Sequence, residues 1–279
     1  MSIPNNHVLI TGASSGIGRA CAEYLASNGF KVYAGARKQH DIKELSNIEN
    51  INALEIDVTK QDTIERAIEY IRNQKTGLCA LINNAGIARA GPLMELPVDE
   101  LHEQFDVNLF GIHRITKAVF PFLLQSKGKI IMMSSDSGFF ATPFFGPYCS
   151  SKFALEGYSD SLRRELLIFD VNVVIIEPGR VKTSIWDKGE ELFKSLISRL
   201  KGSIFETIAK EVGEYAIRKG KTEGLNPKEV AKLVYKILLV KEPKTRYLIA
   251  PDKLRYRLIK ILPDKTIDKK FEKEFKNLK

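Results

Sequence analysis

Val8-Leu9-Ile10-Thr11-Gly12-Ala13-Ser14-Ser15-Gly16-Ile17-Gly18 is an apolar run that breaks into three closely spaced glycines and then into helix-patterned sequence. Glycine lets a backbone turn tightly and come close to a ligand, and a helix N-terminus offers unpaired N–H groups and the positive end of a dipole. Strand, glycine turn and helix in this order predict a diphosphate cradle. The spacing is Gly-x-x-x-Gly-x-Gly, not the Gly-x-Gly-x-x-Gly of the common dinucleotide fingerprint. The same residues also satisfy Gly-x-Ser-x-Gly, the nucleophile elbow of serine hydrolases, with Ser14 as the nucleophile. Such hydrolases need an acid and then a histidine late in the chain, whereas His7, His40, His102 and His113 are the only histidines among 279 residues.

Outward from that turn, short β-rich runs at 8–10, 31–34, 53–56, 79–82, 129–133 and 171–176 alternate with amphipathic helical patterns, and a seventh strand is expected at 246–250. This rhythm predicts a parallel sheet, and strands that are nearly all apolar predict cover on both faces. Right-handed crossovers then give an α/β doubly wound (Rossmann) fold, one domain over 1–251. Asn226-Pro227-Lys228-Glu229 reads as an N-cap, an N1 proline and an N3 acid, so a helix should run from there to about residue 240. Residues 185–224 are helical in pattern without a strand. An insertion at that point lies over the carboxyl ends of the sheet and is expected to be a substrate lid.

Composition is ordinary for a globular chain, 44% hydrophobic and 28% charged. No apolar run approaches the ~20 residues that span a bilayer, and the N-terminus lacks a basic region followed by a long apolar one. A cytoplasmic protein is expected. Cys21, Cys79 and Cys149 have no metal-ligand spacing, so no metal is expected and reduced packing residues are. Cys149, beside Tyr148, is also a candidate modifiable thiol. The net charge is +9, and residues 252–279 hold ten basic and five acidic side chains, a net of +5. Charge alone does not choose among nucleic acid, anionic lipid and an anionic cofactor. In this tail Leu254, Leu258, Ile261 and Leu262, and then Ile267, Phe271 and Phe275, recur at helical spacing among basic residues. Such a segment either docks on the protein or makes peripheral contact with an anionic membrane. No nucleic-acid partner is expected.

Tyr148-Cys149-Ser150-Ser151-Lys152 places a phenol and an ammonium at i and i+4 on one helix face. A cation close to the phenol would pull its pKa below the usual ~10 and let the pair move protons.

Together with Asn83-Asn84-Ala85-Gly86 after the fourth strand, Asn108 in the next helix, Ser135 thirteen residues before Tyr148, and Pro178-Gly179 after the sixth strand, these motifs resemble the short-chain dehydrogenase/reductase family over about residues 5–185. Residues 142–148, Glu177-Pro178-Gly179 and Lys244-Thr245-Arg246-Tyr247 look like its 17β-hydroxysteroid and retinol dehydrogenase branch. The resemblance implies Tyr148 as general acid/base, Lys152 lowering its pKa and binding the nicotinamide ribose, Ser135 bonding the substrate oxygen, and Asn108 helping to hold a relay water. Hydride transfer to a carbonyl makes an alkoxide, so a donor and a steadying hydrogen bond at that oxygen suit the chemistry. The cofactor would lie against Gly12, Ser14, Ser15, Gly16, Ile17 and Gly18, against Asn84, Ala85 and Gly86, and against Pro178, Gly179, Val181 and Thr183. Asp57 and Val58 would meet the adenine.

At the end of the second strand stands Ala36-Arg37, where an acid would hold the ribose 2′-hydroxyl of NAD. Ala36 leaves room and Arg37 offers a fork of donors for a 2′-phosphate, so NADP is expected over NAD. Phe139, Phe140, Phe144 and Phe145 between Ser135 and Tyr148 suggest a lipophilic small-molecule substrate, steroid-, retinoid- or lipid-like, with Phe145 among its contacts. The expectation is an oxidoreductase between NADP(H) and an alcohol or carbonyl. A dinucleotide sensor without turnover is the alternative, opposed by the intact proton-transfer residues. Pairing through helices near 100–125 and 148–168, giving a homodimer or homotetramer, is implied by the resemblance.

Overall fold

The computed structural model describes residues 6–276. Seven strands form one sheet in the order β3-β2-β1-β4-β5-β6-β7, every neighbouring pair parallel. They are β1 (His7–Ile10), β2 (Lys31–Ala36), β3 (Ile51–Glu55), β4 (Ala80–Asn83), β5 (Lys129–Met133), β6 (Asn172–Pro178) and β7 (Arg246–Ile249). The alternation of a strand sorts the core into two layers. Val8 and Ile10 enter one apolar cluster and Leu9 the other, and all three are fully buried.

The first layer is covered by α1 (Gly16–Ser27) and α9 (Pro227–Leu239), joined by an edge-to-face pair of Tyr24 and Tyr235 at 5.8 Å between ring centres. The start of α9 is capped as its sequence predicts, the Asn226 side chain accepting from Lys228 N at 2.9 Å. The second layer packs under α3 (Gln61–Gln74), α5 (Gly111–Ser126) and α6 (Gly146–Glu165). Remaining helices are α2 (Gln39–Ser46), α4 (Val98–Phe105), α7 (Ile185–Arg199), α8 (Glu206–Glu223), α10 (Lys253–Ile259) and α11 (Asp264–Lys276).

The chain leaves β1 toward β2 on one side and β4 on the other, so the sheet reverses direction at the β1–β4 seam. Open sheets bind ligands outside the carboxyl ends of the strands at such a reversal. Three strands are longer or shifted relative to their apolar pattern. β2 continues through Gly35 and Ala36 because these pair with Leu54 and Glu55, β3 begins at Ile51 opposite Val32, and β6 continues to Pro178 opposite Ile249. Pairing with a neighbour, invisible in local sequence, sets those ends.

α7 and α8 fill the segment between β6 and α9 and pack closely. A Cβ on Gly220 would fall 2.1 Å from the Trp186 ring, and one on Gly213 2.1 Å from Phe193. The segment also reaches across to the β4 side, Arg199 bonding Glu100 at 2.5 Å and Ser203 bonding Glu95 at 2.7 Å. In the tail, Phe271 stacks on Phe140 and Phe275 meets Phe144 edge-on. Leu254, Leu258, Ile261 and Leu262 stay exposed. The tail's second apolar set docks and its first does not; residues 277–279 lie outside the described residues. Among the described residues no helix is long and apolar enough to cross a membrane.

Candidate active site

The backbone leaves β1 through Gly12 (φ +65°) and Gly16 (φ +58°), a conformation that disfavours side chains. A Cβ on Gly18 would lie 2.3 Å from the Gly12 carbonyl oxygen, so this turn closes only with glycine. Asn84 pins it from the end of β4, donating to the carbonyls of Thr11 (3.0 Å) and Gly12 (3.1 Å). Thr11 Oγ1 in return accepts from the backbone N–H of Asn84 and of Ala85, each at 3.0 Å. The β1–β4 seam is thereby locked. Ser15 is the N-cap of α1 without a side-chain bond, and the first turn of that helix carries no acid. Its amino end therefore stays electropositive with unspent donors, and with half-buried Ser14 and Ile17 it forms a donor set that suits a diphosphate.

Thr183 closes the far side, its Cβ 3.1 Å from where a Gly16 Cβ would be. Val181, two residues earlier, is buried and bridges to Leu225. A cleft of about 810 Å³ runs outside the turn between α1 and α7, with Gly16, Lys182 and Thr183 in its wall. Tyr148, Lys152 and Ser135 do not line it. Ser14 stands at the carboxyl end of β1 while His7 begins that strand, and His113 is committed to Tyr158 at 3.1 Å, so no hydrolase arrangement forms around Ser14.

Beyond β2, Ala36 is buried, while Arg37 is exposed and makes no ion pair among the described residues. Its guanidinium is available to an anion. Asp57 spends one carboxylate oxygen on Thr59, accepting from its N–H at 3.0 Å and its hydroxyl at 2.7 Å. Val58 packs so tightly on α5 that a Cβ on Gly111 would lie 2.7 Å from it.

Ser135 follows β5, and Tyr148 and Lys152 sit one turn apart near the start of α6. Lys152 is 5% exposed, its Nζ donates to the Met133 carbonyl at 2.8 Å, and it lies 5.7 Å from the centre of the Tyr148 ring. Burial draws its pKa down to about 8, with the Glu156 carboxylate opposing. Tyr148 keeps part of its surface open, yet the packing around it pushes the phenol pKa up. A hydrogen bond with Ser135 opposes that rise, and the nearby Asp136 and Cys149 add to it. This corrects the sequence expectation of a depressed phenol. Spacing of i and i+4 gives the two side chains one face but does not aim a long lysine at the hydroxyl, and the buried Met133 carbonyl is the acceptor it reaches.

Asn108 lies in a π turn, Asp106–Phe110, inserted between α4 and α5; such turns favour functional sites. The residue is fully buried. Its Oδ1 accepts from Ile87 N at 2.9 Å, and its Nδ2 donates to Ile87 O at 3.0 Å and to Ser151 Oγ at 3.1 Å. Both side-chain donors are thus spent on the chain, bracing the loop after Gly86 against α6. Gln104 does the same one turn earlier, bonding Arg89 N and Ile87 O, and no family motif or charge pattern singles it out.

After β6, Gly179 N donates to Ile249 O at 2.9 Å, fixing Pro178 and Gly179 at the sheet's end. Tyr256 of α10 comes against this glycine, its Oη 3.4 Å from where a Cβ would be. Its hydroxyl faces the Asp136 carboxylate, and burial together with that charge pushes the phenol pKa up. Sequence reasoning missed Tyr256 because it lies in the tail, beyond every motif. Of the four phenylalanines before Tyr148, Phe139, Phe140 and Phe144 are taken by tail rings, and Phe145 makes no ring contact among the described residues. The three cysteines are free, and burial pushes each thiol up. Cys149, 2% exposed, is a packing residue and not a reactive thiol.

A family model described as short chain dehydrogenase matches residues 6–191. The chain belongs to this family. It is therefore an oxidoreductase, with the seven-stranded parallel sheet described above. This short-chain dehydrogenase is 37% identical over 282 residues to the NADPH-dependent 3-dehydrocapnine reductase of Ornithobacterium rhinotracheale, with 98% of each chain covered. It is 33% identical to the 3-ketodihydrosphingosine reductase of Bacteroides thetaiotaomicron, over 88% of this chain and 87% of that one. A solved short-chain dehydrogenase from Streptomyces avermitilis shares the fold with a TM-score of 0.78 at 24% identity, covering 99% of both chains.

Proposed function

We propose that this enzyme uses NADPH to reduce a ketone on a long-chain lipid to the alcohol. The observation that carries the reading is the convergence of Ser135, Tyr148, Lys152 and the Asn108–Ser151 brace beside the glycine turn at the carboxyl ends of β1, β4 and β5. The two reductases compared above are named for 3-dehydrocapnine and for 3-ketodihydrosphingosine, and the first is named for NADPH. The open Arg37 fork supports a 2′-phosphate.

When bound, the nicotinamide supplies hydride to the carbonyl carbon. Gly12 to Gly18 and the amino end of α1 would hold the diphosphate, Arg37 the 2′-phosphate, Asp57 and Val58 the adenine. Asn84, Ala85 and Gly86, with Pro178, Gly179, Val181 and Thr183, would flank the remainder. Tyr148 would give its proton to the developing alkoxide, and a phenol kept neutral by burial is in the right form to do so. Ser135, whose hydroxyl donates to Asp136 at 2.8 Å, would turn that proton to the same oxygen. Lys152 would hold the nicotinamide ribose, and Asn108 would keep the Ile87 segment placed for a relay water. Phe145 would line the substrate, and α7 with α8 would cover it as a lid on 1–251.

Exposed Phe110, Phe153 and Ile168 on or beside α5 and α6 support a homo-oligomer. The exposed leucines of α10 beside Lys253 and Arg255 support contact with an anionic membrane. Pelleting with anionic vesicles before and after deletion of 252–279 tests the latter, and unchanged pelleting would dismiss it. For the reaction, NADPH absorbance is followed with a panel of keto lipids, steroids and retinoids. Tyr148→Phe should cut turnover at least about 100-fold while NADPH affinity holds; undiminished turnover would refute the assignment.

A further inference from the structure

Beside the proposed substrate oxygen stands a carboxylate that neither family motif nor cofactor needs. Asp136 opens a short 3-10 turn after Ser135, whose Oγ donates to Asp136 Oδ1 at 2.8 Å and accepts from Ser137 N at 3.2 Å. Ser137 Oγ reaches the same Oδ1 at 3.5 Å, and on the other side the Tyr256 hydroxyl of α10 faces the carboxylate. Asp136 is half-buried, its charge reaches Tyr148, Cys149 and Tyr256, and no lysine or arginine lies within 4 Å of it among the described residues. Lys152 is engaged with Met133, Lys260 with Glu177, and Arg246 with Glu156 and Asp160, while Arg180 and Arg255 act on Tyr256 from beyond ion-pair distance of Asp136.

A half-buried carboxylate met only by the neutral hydroxyls of Ser135, Ser137 and Tyr256 is an incomplete ion site, since charges withdrawn from water are ordinarily paired. Its position gives the partner's chemistry. Ser135 touches both Asp136 and, on the reading above, the substrate carbonyl, so a cation on Asp136 lies within a bond or two of that carbonyl. A guanidinium or quaternary group is bulkier than a gap bridged by one serine hydroxyl, whereas a primary ammonium is compact and brings three donors.

We propose that Asp136, with Tyr256 as its positioning residue, is a subsite for a protonated primary amine on the carbon next to the ketone, making the substrate an α-amino ketone. The inference rests on the reductase reading and narrows it. On binding, the ammonium takes the Asp136 lone pairs, and the Ser135 hydroxyl proton turns from Asp136 to the carbonyl. A ketone without the amine leaves the carboxylate competing for that proton, so selectivity is built into the same serine.

The test compares 3-ketodihydrosphingosine with 1-hydroxyoctadecan-3-one, which lacks only the amine, each with NADPH. The wild type should favour the amino ketone in kcat/KM by at least about 30-fold, and Asp136→Asn should shrink that preference at least tenfold, with Asp136→Glu recovering part of it. Tyr256→Phe should shrink it by a few-fold. An unchanged preference in Asp136→Asn, or no preference in the wild type, overturns the subsite. Calorimetry with dodecylammonium and with dodecanol separates this from the reaction itself. Dodecylammonium should bind at least tenfold more weakly to Asp136→Asn while dodecanol does not follow, and equal weakening of both overturns the subsite even where turnover is intact. Absence of NADPH oxidation with every ketone, alongside that ammonium-specific loss, would sink the reductase reading and leave the amine site standing.

Discussion

The ammonium of Lys152 donates to the carbonyl oxygen of Met133 at 2.8 Å, and it does so from a position only 5% exposed. One hydrogen bond does not repay the burial of a cation, which is why its pKa falls from 10.5 to about 8. The sign follows from linkage. The unfolded chain binds this proton up to about 10.5 and the folded chain only to about 8, so stability rises with pH across that window. Below it the full penalty, roughly 3 kcal/mol, is present. Lys152→Met should therefore stabilise the protein at pH 7 by about 2 kcal/mol once the lost hydrogen bond is subtracted, and the gain should vanish above pH 10.5. Urea unfolding at pH 7 and pH 10.5 measures both values, and a destabilised variant at pH 7 would show that Lys152 is not held against a burial penalty.

That result illustrates which parts of the site were readable beforehand. Motif residues at strand ends were legible because the sheet alone brings Gly12, Asn84, Ser135 and Gly179 to one edge, and a βαβ rhythm is written in local periodicity. The direction of a side chain is not: Lys152 turns to Met133 through tertiary packing, and the π turn that buries Asn108 has no local signature. Tyr256 was hidden for a different reason. Its place beside Gly179 and Asp136 depends on how α10 folds back across the sheet, a contact that spans 120 residues from Asp136. The tail's amphipathic pattern predicted that something would cover its apolar face and was silent on which half.

Arg37 offers a sharper test of cofactor choice. It is exposed and makes no ion pair among the described residues, so its removal disturbs no internal contact. Arg37→Ala should weaken NADPH binding by about tenfold or more and leave NADH within about twofold, since charge-assisted bonds to a phosphate are worth roughly 1.5–3 kcal/mol. Fluorescence titration of the two dinucleotides reads the ratio, and an equal loss for both would remove Arg37 from the 2′-phosphate.

Asn108, itself fully buried, braces Ile87 with two hydrogen bonds and Ser151 with a third. Asn108→Ala would leave the Ile87 N–H without its acceptor, at about 1–3 kcal/mol before relaxation, while the Ile87 C=O keeps its bond from Gln104 at 2.8 Å. A net loss of about 1–3 kcal/mol is expected, read as a lowered denaturant midpoint with an unchanged slope. Asn108→Asp should fare no better, because a carboxylate cannot donate to the Ile87 carbonyl. Stability within 0.5 kcal/mol of the wild type would mean that the Ile87 segment finds other partners.

The tail is tied to the sheet by charge as well as by rings. Glu177, whose side chain is 3% exposed, receives both oxygens' worth of bonding from Lys260 at 2.9 and 3.0 Å, while Arg246 stands 3.7 Å away. Lys260 also lies 3.8 Å over the Phe139 ring, so the same ammonium bridges the strand end and the aromatic loop. Lys260→Met keeps the alkyl stem but strands much of a buried carboxylate. Removing one partner of a buried pair costs about 3–5 kcal/mol, and the remaining Arg246 together with the partial exposure of Lys260 brings the expected loss nearer 1–2 kcal/mol. The companion change Glu177→Gln in that background should recover most of it, since the stranded charge is then gone. Thermal unfolding of the single and double variants should separate by about 2–4 °C per kcal/mol. Additive losses would show that Glu177 and Lys260 do not act as a pair and that the aromatic contacts of α11 alone hold the tail.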